Sequence, residues 1–135
     1  MLVSTKGRYA LRVMIDIAEN SGGKFVPMKE VSVRQEISQK YMEKIMPALV
    51  SHNMVEAVHG KGGGYRLTRE AQSYSVGEIL RATEGKVAPV ACLECAAGPC
   101  ERAAICPTLS MWTRFHEISK EYFSGITIRD ISGTK

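Results

Sequence analysis

Apolar residues recur at helical spacing early in the chain: Leu11, Met14, Ile15 and Ala18 form one stripe between Lys6 and Asn20. Arg12 and Asp16 lie four apart on the polar side, where an ion pair is expected. Ser21-Gly22-Gly23 ends that helix as a turn. Phe25-Val26-Pro27 reads as an extended lead-in to a short helix from Met28 to Gln35, with Val31 turned inward. Ser38 suits the N-cap of a third helix from Gln39 to Ser51, closed by His52-Asn53. Its inward stripe is Met42, Ile45, Met46 and Leu49, and its first turn is free to point outward. Pro47 lies inside it and predicts a kink, because proline lacks the N–H and crowds the preceding turn.

The period then changes. Val55 to Val58 alternates apolar and polar as a half-buried strand does, and Tyr65-Arg66-Leu67 resumes that pattern. Between them His59-Gly60-Lys61-Gly62-Gly63-Gly64 is a glycine-rich basic loop, so the pair reads as a hairpin. Helix, turn, helix, hairpin is the order of a winged helix-turn-helix. Val76 to Thr83 forms another short helix, ended by Gly85. Residues 92–106 are rich in Gly, Pro and small side chains and show no period. Pro107 suits the first position of a last helix that runs to about Tyr122. Met111, Phe115, Ile118 and Tyr122 form one stripe on it, with Leu109 and Trp112 beside. That much apolar surface calls for a cover, and a homodimer through this helix is the economical answer; packing on the chain's own first domain is the alternative. The predicted fold is mainly α with a small β-hairpin. It divides into a winged helix-turn-helix domain (1–84), a cysteine-rich loop (85–106), and a long dimerisation helix with a tail (107–135).

Composition narrows the function. The chain has 135 residues, 44% hydrophobic and 24% charged, ordinary for one folded core plus an appendage. Neither a signal peptide nor a membrane span is legible, so the expected compartment is the cytoplasm. Residues 1–70 carry eleven Lys/Arg against seven Asp/Glu, whereas residues 71–135 carry seven of each. A cationic surplus confined to the winged half suits a polyanion, because neutralising phosphates releases counterions. Gly62-Gly63-Gly64 leads into a strand and lacks a Gly-Lys-Ser/Thr ending, which argues against a nucleotide loop. No nucleophile–base pair or paired carboxylates point to an enzyme.

All four cysteines fall in one run, Cys92-x2-Cys95-x4-Cys100-x5-Cys106. In a reducing compartment, grouped thiols bind metal or do redox work more often than they form structural disulfides. Thiolates suit an iron–sulfur cluster because soft anionic sulfur stabilises bridged iron. Zinc and metal-free thiol redox are the alternatives. Cys92-x2-Cys95 is a good zinc half-site, but Cys100-x5-Cys106 is too wide for the usual second half. Cys106 precedes the last helix, whose free N–H groups and dipole favour a thiolate.

Several motifs in order resemble the IscR-type family of bacterial transcription regulators, which includes IscR, NsrR and CymR. Ser4-Thr5-Lys6-Gly7-Arg8-Tyr9-Ala10 resembles the family's N-terminal signature, and Lys40-Tyr41-Met42-Glu43-Lys44-Ile45 the start of its recognition helix. His59 to Tyr65 is similar to its wing, and Ser75-Val76-Gly77-Glu78-Ile79 to the segment after it. The resemblance implies a homodimeric regulator, a repressor of transcription, that binds a double-stranded DNA operator. Its cluster-binding members carry three cysteines before the dimerisation helix, and Cys95, Cys100 and Cys106 resemble that trio, with one residue fewer in the first gap than IscR has. Where IscR supplies a histidine as fourth ligand this chain has Leu109, and where NsrR supplies an acidic residue it has Arg8. Cys92 is then the first candidate for the fourth ligand and His116 the second, with small thiols or water also open. The cluster type, 2Fe–2S or 4Fe–4S, is open.

For DNA, the first turn of the third helix would enter the major groove. Gln39 suits adenine, Glu43 suits the cytosine amine, and Lys40 and Lys44 suit guanine or phosphate. Tyr41 offers a hydroxyl to phosphate; Lys61, His59 and the Gly62 backbone of the wing would meet phosphates or the minor groove. Lys6 and Arg8 are expected as phosphate clamps. Control by the cluster would act by re-angling the two recognition helices. A cluster-free regulator governed by thiols, zinc or a partner enzyme is the alternative, as CymR implies. An iron–sulfur electron carrier would leave the charge surplus and the wing unexplained.

Overall fold

The computed structural model describes residues 3–94 and 100–133. Six α-helices and one hairpin follow in order: α1 (Thr5–Asn20), α2 (Met28–Gln35), α3 (Gln39–Ser51), β1 (Val55–Val58), β2 (Gly64–Leu67), α4 (Val76–Glu84), α5 (Leu109–Ser124) and α6 (Ile128–Ile131). This is the mainly helical winged fold with a two-stranded antiparallel hairpin that the sequence predicts.

Helix α1 is the hub, packed against α2, α3, α4, α6 and β2. Because it is covered from several sides, its buried arc is wider than a surface stripe. Ala10, Val13, Met14 and Ile17 are fully buried, while the predicted Leu11, Ile15 and Ala18 pack half-buried at the margin of the core. Of the predicted stripe only Met14 lies at the core's centre. Gly7 is buried where α1 meets α4, and a β-carbon there would collide with the Glu84 carboxylate.

The expected Arg12–Asp16 pair does not form. Asp16 is only 2% exposed and belongs to a bond between helices: Arg34 of α2 grips it with both Nη2 (2.8 Å) and Nε (3.0 Å), and Gln35 Nε2 adds a third donor at 2.9 Å. Arg12 instead donates to the Gln35 backbone carbonyl and side-chain amide. A buried carboxylate takes the partner that satisfies most of its lone pairs, and a bidentate guanidinium does that best. The Asp16 hydrogen bond, followed by its charge, holds the Arg34 guanidinium above its ordinary pKa against the opposing effect of burial.

Helix α2 ends on Glu36 in the left-handed conformation (φ 54°, ψ 43°), which reverses the chain into α3. Ser38 Oγ caps α3 by accepting the Tyr41 N–H at 3.1 Å. The four inward residues of α3 are as the period predicts, all buried. Helix α3 is assigned as one helix through Pro47, whose ring lies on the exposed side.

Only Val55 of β1 is buried, and Val58 is exposed. The hairpin is held by its other strand: Val26 and Tyr65 exchange both backbone hydrogen bonds at 2.8 Å. Gly64 makes this possible, since its φ of 146° and missing side chain leave room for the Val26 carbonyl. At the base of the hairpin the Tyr74 ring is fully buried, and its hydroxyl donates to the Met54 carbonyl (2.8 Å) and accepts the Arg69 N–H (2.9 Å).

Helix α5 starts two residues later than Pro107 predicts. Thr108 is its N-cap, and the first helical bond runs from the Trp112 N–H to the Thr108 carbonyl at 3.1 Å. Pro107 and Thr108 form a turn beforehand, and the proline disfavours helical conformation at Cys106. Helix α6, not anticipated from the sequence, returns the chain to the first domain. Ile128 is fully buried in the main core, and its N–H donates to the Tyr74 carbonyl at 3.0 Å.

Candidate nucleic-acid interface and cysteine segment

The inward anchors of α3 force its other side outward. Gln39, Lys40, Glu43 and Lys44 are all exposed on the first turns of the helix. Tyr41, expected to offer its hydroxyl to phosphate, sits deeper in the helix surface than these four. It is half-buried, with its ring edge-on to Tyr9 of α1 at 5.3 Å between centroids. Lys44 Nζ sits 5.7 Å over the Tyr41 ring, and the Arg12 guanidinium 5.1 Å over Tyr9. Such cation–ring contacts contribute on the order of 0.5–1 kcal/mol each at exposed sites. The chain Arg12, Tyr9, Tyr41, Lys44 therefore braces α3 on α1, a role without any periodic signal in the residue order.

The wing carries exposed His59 and Lys61, and Gly60 (φ 88°) and Gly62 (φ 78°), on either side of Lys61, supply its left-handed turns. Arg66 and Arg69 are not free cations of this surface. Arg66 Nε donates to Glu56 at 2.6 Å and its guanidinium lies 4.3 Å from the Phe25 ring centre, while Arg69 covers Tyr74 at 4.3 Å. At the start of α1, Arg8 is exposed and Lys6 half-buried, with Arg8 Nη2 bonded to Thr5 Oγ1 at 3.2 Å. The exposed candidates thus sit on three separate elements: the first turn of α1, the first turns of α3, and the wing loop.

In the cysteine segment, Cys92 is half-buried in a short 3-10 turn (Ala91–Leu93), Cys100 is exposed, and Cys106 is half-buried just before α5; all three are free thiols. Cys95 lies outside the described residues. The Cys106 thiol is held below its ordinary pKa, first by the Thr108 hydroxyl (3.4 Å) and then by the N–H groups of Thr108 and Leu109, with Arg102 adding positive charge. Burial opposes the shift. The helix start thus favours the thiolate, the form that ligates iron and that reacts.

Among the described residues no three His, Cys, Asp or Glu side chains are gathered as a metal site. His116, the second candidate for a fourth ligand, has a buried Nδ1 with no hydrogen-bond partner among the described residues, and its side chain shares a cavity wall with Leu93 and Glu94. It lies seven residues past Leu109, about 10 Å further along the axis at 1.5 Å per residue. No residue of α5 is fully buried: Leu109, Trp112, His116 and Phe123 are half-buried, while Met111 (53% exposed), Phe115, Ile118 and Tyr122 (64%) are exposed.

A family model described as an iron-dependent transcriptional regulator, Rrf2, matches residues 3–134. The chain belongs to the Rrf2 family. Curated relatives include the HTH-type transcriptional regulators IscR of Klebsiella pneumoniae and Escherichia coli. Each is 34% identical over 131 residues, which is 97% of this chain and 79–80% of the relative. Among solved structures it is similar to CymR, the global cysteine regulator of Bacillus subtilis, with a TM-score of 0.80 and 30% identity over 100% of this chain and 98% of that one. It is similar also to T. potens IscR, with a TM-score of 0.75 and 30% identity over 97% and 85%. This Rrf2 protein is a transcription regulator, not an enzyme, and no helix among its described residues is long and apolar enough to cross a membrane.

Proposed function

We propose that this Rrf2 protein is a cytoplasmic homodimeric repressor that binds double-stranded operator DNA and whose affinity is set by an iron–sulfur cluster on its cysteine segment. The observation that carries the reading is the junction at Cys106. A thiol favoured as thiolate sits directly at the root of α5, a helix whose apolar stripe lies exposed. Two copies joined through Met111, Phe115, Ile118 and Tyr122 would bury that stripe and set the distance between their two α3 helices. Half-site spacing must match the turn of DNA, so a change at the root of α5 can change affinity. Gln39, Lys40, Glu43 and Lys44 would read base edges and phosphates; His59, Lys61 and the Gly62 backbone would meet the minor groove or its phosphates; Lys6 and Arg8 would clamp phosphate.

The donor chemistry fits a cluster, with Cys95, Cys100 and Cys106 as ligands and Cys92 ahead of His116 for the fourth position. When bound, a cluster would supply sensitivity to oxidants and to iron supply through its own redox chemistry.

The similarity to CymR supports a second reading, in which the free thiols themselves are the sensor. One sample decides between the two: protein purified without oxygen, examined by UV–visible absorption with iron and sulfide assayed together. Broad absorption at about 320–450 nm with matching iron and sulfide supports the cluster. Colourless, iron-free protein that still binds DNA, and releases it on thiol oxidation, supports the second reading.

A further inference from the structure

We propose that Glu84 is a positioning residue that couples the cysteine segment to the first turn of α1 by exchanging partners between Ser4 and Lys86. The inference rests on the DNA-reading role proposed above and adds the route by which the segment would act on it. Glu84 is the last residue of α4, and Gly85 (φ 76°) follows as a swivel into the cysteine segment. Its Oε1 accepts both the Ser4 N–H (2.9 Å) and the Ser4 hydroxyl (2.7 Å). The same hydroxyl caps α1 by accepting the Gly7 N–H at 3.4 Å, and Glu84 fills the space above Gly7. One carboxylate therefore fixes the turn that carries Lys6 and Arg8.

The latch is solvent-exposed, so opening it does not require the core to open. An alternative partner is at hand. Glu84 lines a cavity with Arg81, Lys86 and Lys120, and neither Arg81 nor Lys120 has a carboxylate within ion-pair distance among the described residues. Lys86 is engaged elsewhere, with Nζ 3.6 Å from Glu94. Glu94 immediately precedes Cys95 in sequence and follows Cys92 by two residues. Recruiting Cys92 as a cluster ligand would displace Glu94, two residues on, and release Lys86. Released Lys86 competes for Glu84, the Ser4 latch opens, and the α1 turn loses its fixed position. The exchange is one of ion pairs and hydrogen bonds only.

The test uses the full chain in seven forms: wild type, Glu84→Ala, Glu84→Gln, Lys86→Met, and a Cys95→Ala/Cys100→Ala/Cys106→Ala triple variant alone, with Lys86→Met and with Glu84→Gln. Amide hydrogen exchange at Gly7 and Arg8 reads the latch without DNA. Affinity for a duplex selected by the wild type from a random-sequence library reads its consequence. Glu84→Ala is expected to speed exchange at those amides and weaken the duplex by at least about fivefold. Glu84→Gln, which keeps the acceptor oxygen, is expected to stay near wild type in exchange while losing its response to the triple variant. The triple variant should shift exchange at Gly7 and Arg8, and Lys86→Met should abolish that shift. Unchanged exchange at Gly7 and Arg8 in the triple variant overturns the coupling, as does a shift that survives Lys86→Met. Should Glu84→Ala fail to fold, Ser4→Ala removes the same latch from the other side. A wild type that selects no duplex would reject the DNA-reading role by itself, and the exchange pattern would still decide whether Glu84 couples the segment to α1.

Discussion

The winged half and α5 are built to opposite rules. In the winged half the polar groups that enter the interior find partners within the same chain: Asp16 takes Arg34 and Gln35, and the Tyr74 hydroxyl takes Met54 and Arg69. Most of its large apolar residues are buried, with Met14, Ile17, Met42, Ile45 and Leu49 all at 0% exposure and Val33, Val50 and Val58 the exposed exceptions. In α5 the apolar stripe is exposed, and the buried His116 Nδ1 lacks a partner among the described residues. One region has its apolar surface covered within the chain, and the other leaves an apolar stripe in solvent, which the proposed homodimer would cover. A regulator needs that division, because the part that responds must be able to change while the part that reads keeps its shape.

The hardest blow to this contrast would be a core substitution in the winged half that costs no more than one in α5. Leu49→Ala is expected to destabilise by about 3–4 kcal/mol, since it removes buried methyls and leaves a cavity beside Met46 and Ile45. Phe115→Ala should cost the isolated protomer under about 0.5 kcal/mol, as expected for an exposed position. Urea unfolding of both variants at a concentration low enough to populate single chains checks the pair. Equal losses would mean that α5 is already part of the fold.

Next in size is the Asp16–Arg34 bond, which sharpens the picture because its two ends differ. Asp16 is 2% exposed, whereas the Arg34 side chain is 36% exposed. Arg34→Met leaves a buried carboxylate with only Gln35 as donor and should cost about 3 kcal/mol. Asp16→Asn leaves a guanidinium that water can reach, so a loss of about 1–2 kcal/mol is expected. Thermal unfolding of the two variants measures the asymmetry, and the reverse order would contradict the burial argument.

Much of this division was legible from residue order, and the failures have physical causes. The α3 stripe is right at all four positions because one side of that helix meets one core. For α1 the same reasoning put Asp16 on the polar side, since a single-helix pattern cannot show an arginine arriving from 18 residues away. The sequence located the exposed stripe of α5 by its period. It missed α6, whose short Ile128–Ile131 turn has no period to detect, although Thr127 and Asp130 form the same reciprocal cap that Ser75 and Glu78 form on α4. Residues proposed for DNA lie on three elements as expected, but the bracing role of Tyr41 depends on Tyr9, which only the folded arrangement brings near.

A charge placed on the stripe of α5 tests that proposed cover directly. Phe115→Asp is expected to weaken self-association by a factor of about 30–100, equivalent to about 2–3 kcal/mol for a central apolar contact. Sedimentation of wild type and variant over a range of concentrations reads the shift. Circular dichroism should be unchanged, because the position supports nothing within its own chain. A variant that unfolds, or a wild type that sediments as a single chain at every concentration, would remove the homodimer from the proposal.

The smallest effect has the clearest sign. Glu78 accepts the Ser75 N–H at 3.0 Å, and this hydrogen bond holds its carboxyl below the ordinary 4.5, with Arg69 and Arg81 adding to it and burial opposing. A depressed native pKa means that ionised Glu78 favours the folded chain. The contribution is complete well above 4.5 and is lost as pH falls through the native value. Glu78→Gln keeps a cap acceptor but not the charge, so it should cost about 0.5–1 kcal/mol near neutrality. As pH falls below the native value, itself under 4.5, the difference between wild type and variant should shrink toward zero, because both then present an uncharged group. The helix concerned, α4, carries Glu84 at its other end, so the same variant has a second use. If α4 moves as a rigid rod, loosening its Ser75 end should leave exchange at Gly7 and Arg8 unaltered while lowering stability. A loss of protection at both ends would show instead that α4 frays as a unit, and that the winged half and the cysteine segment share the weakness of that one helix.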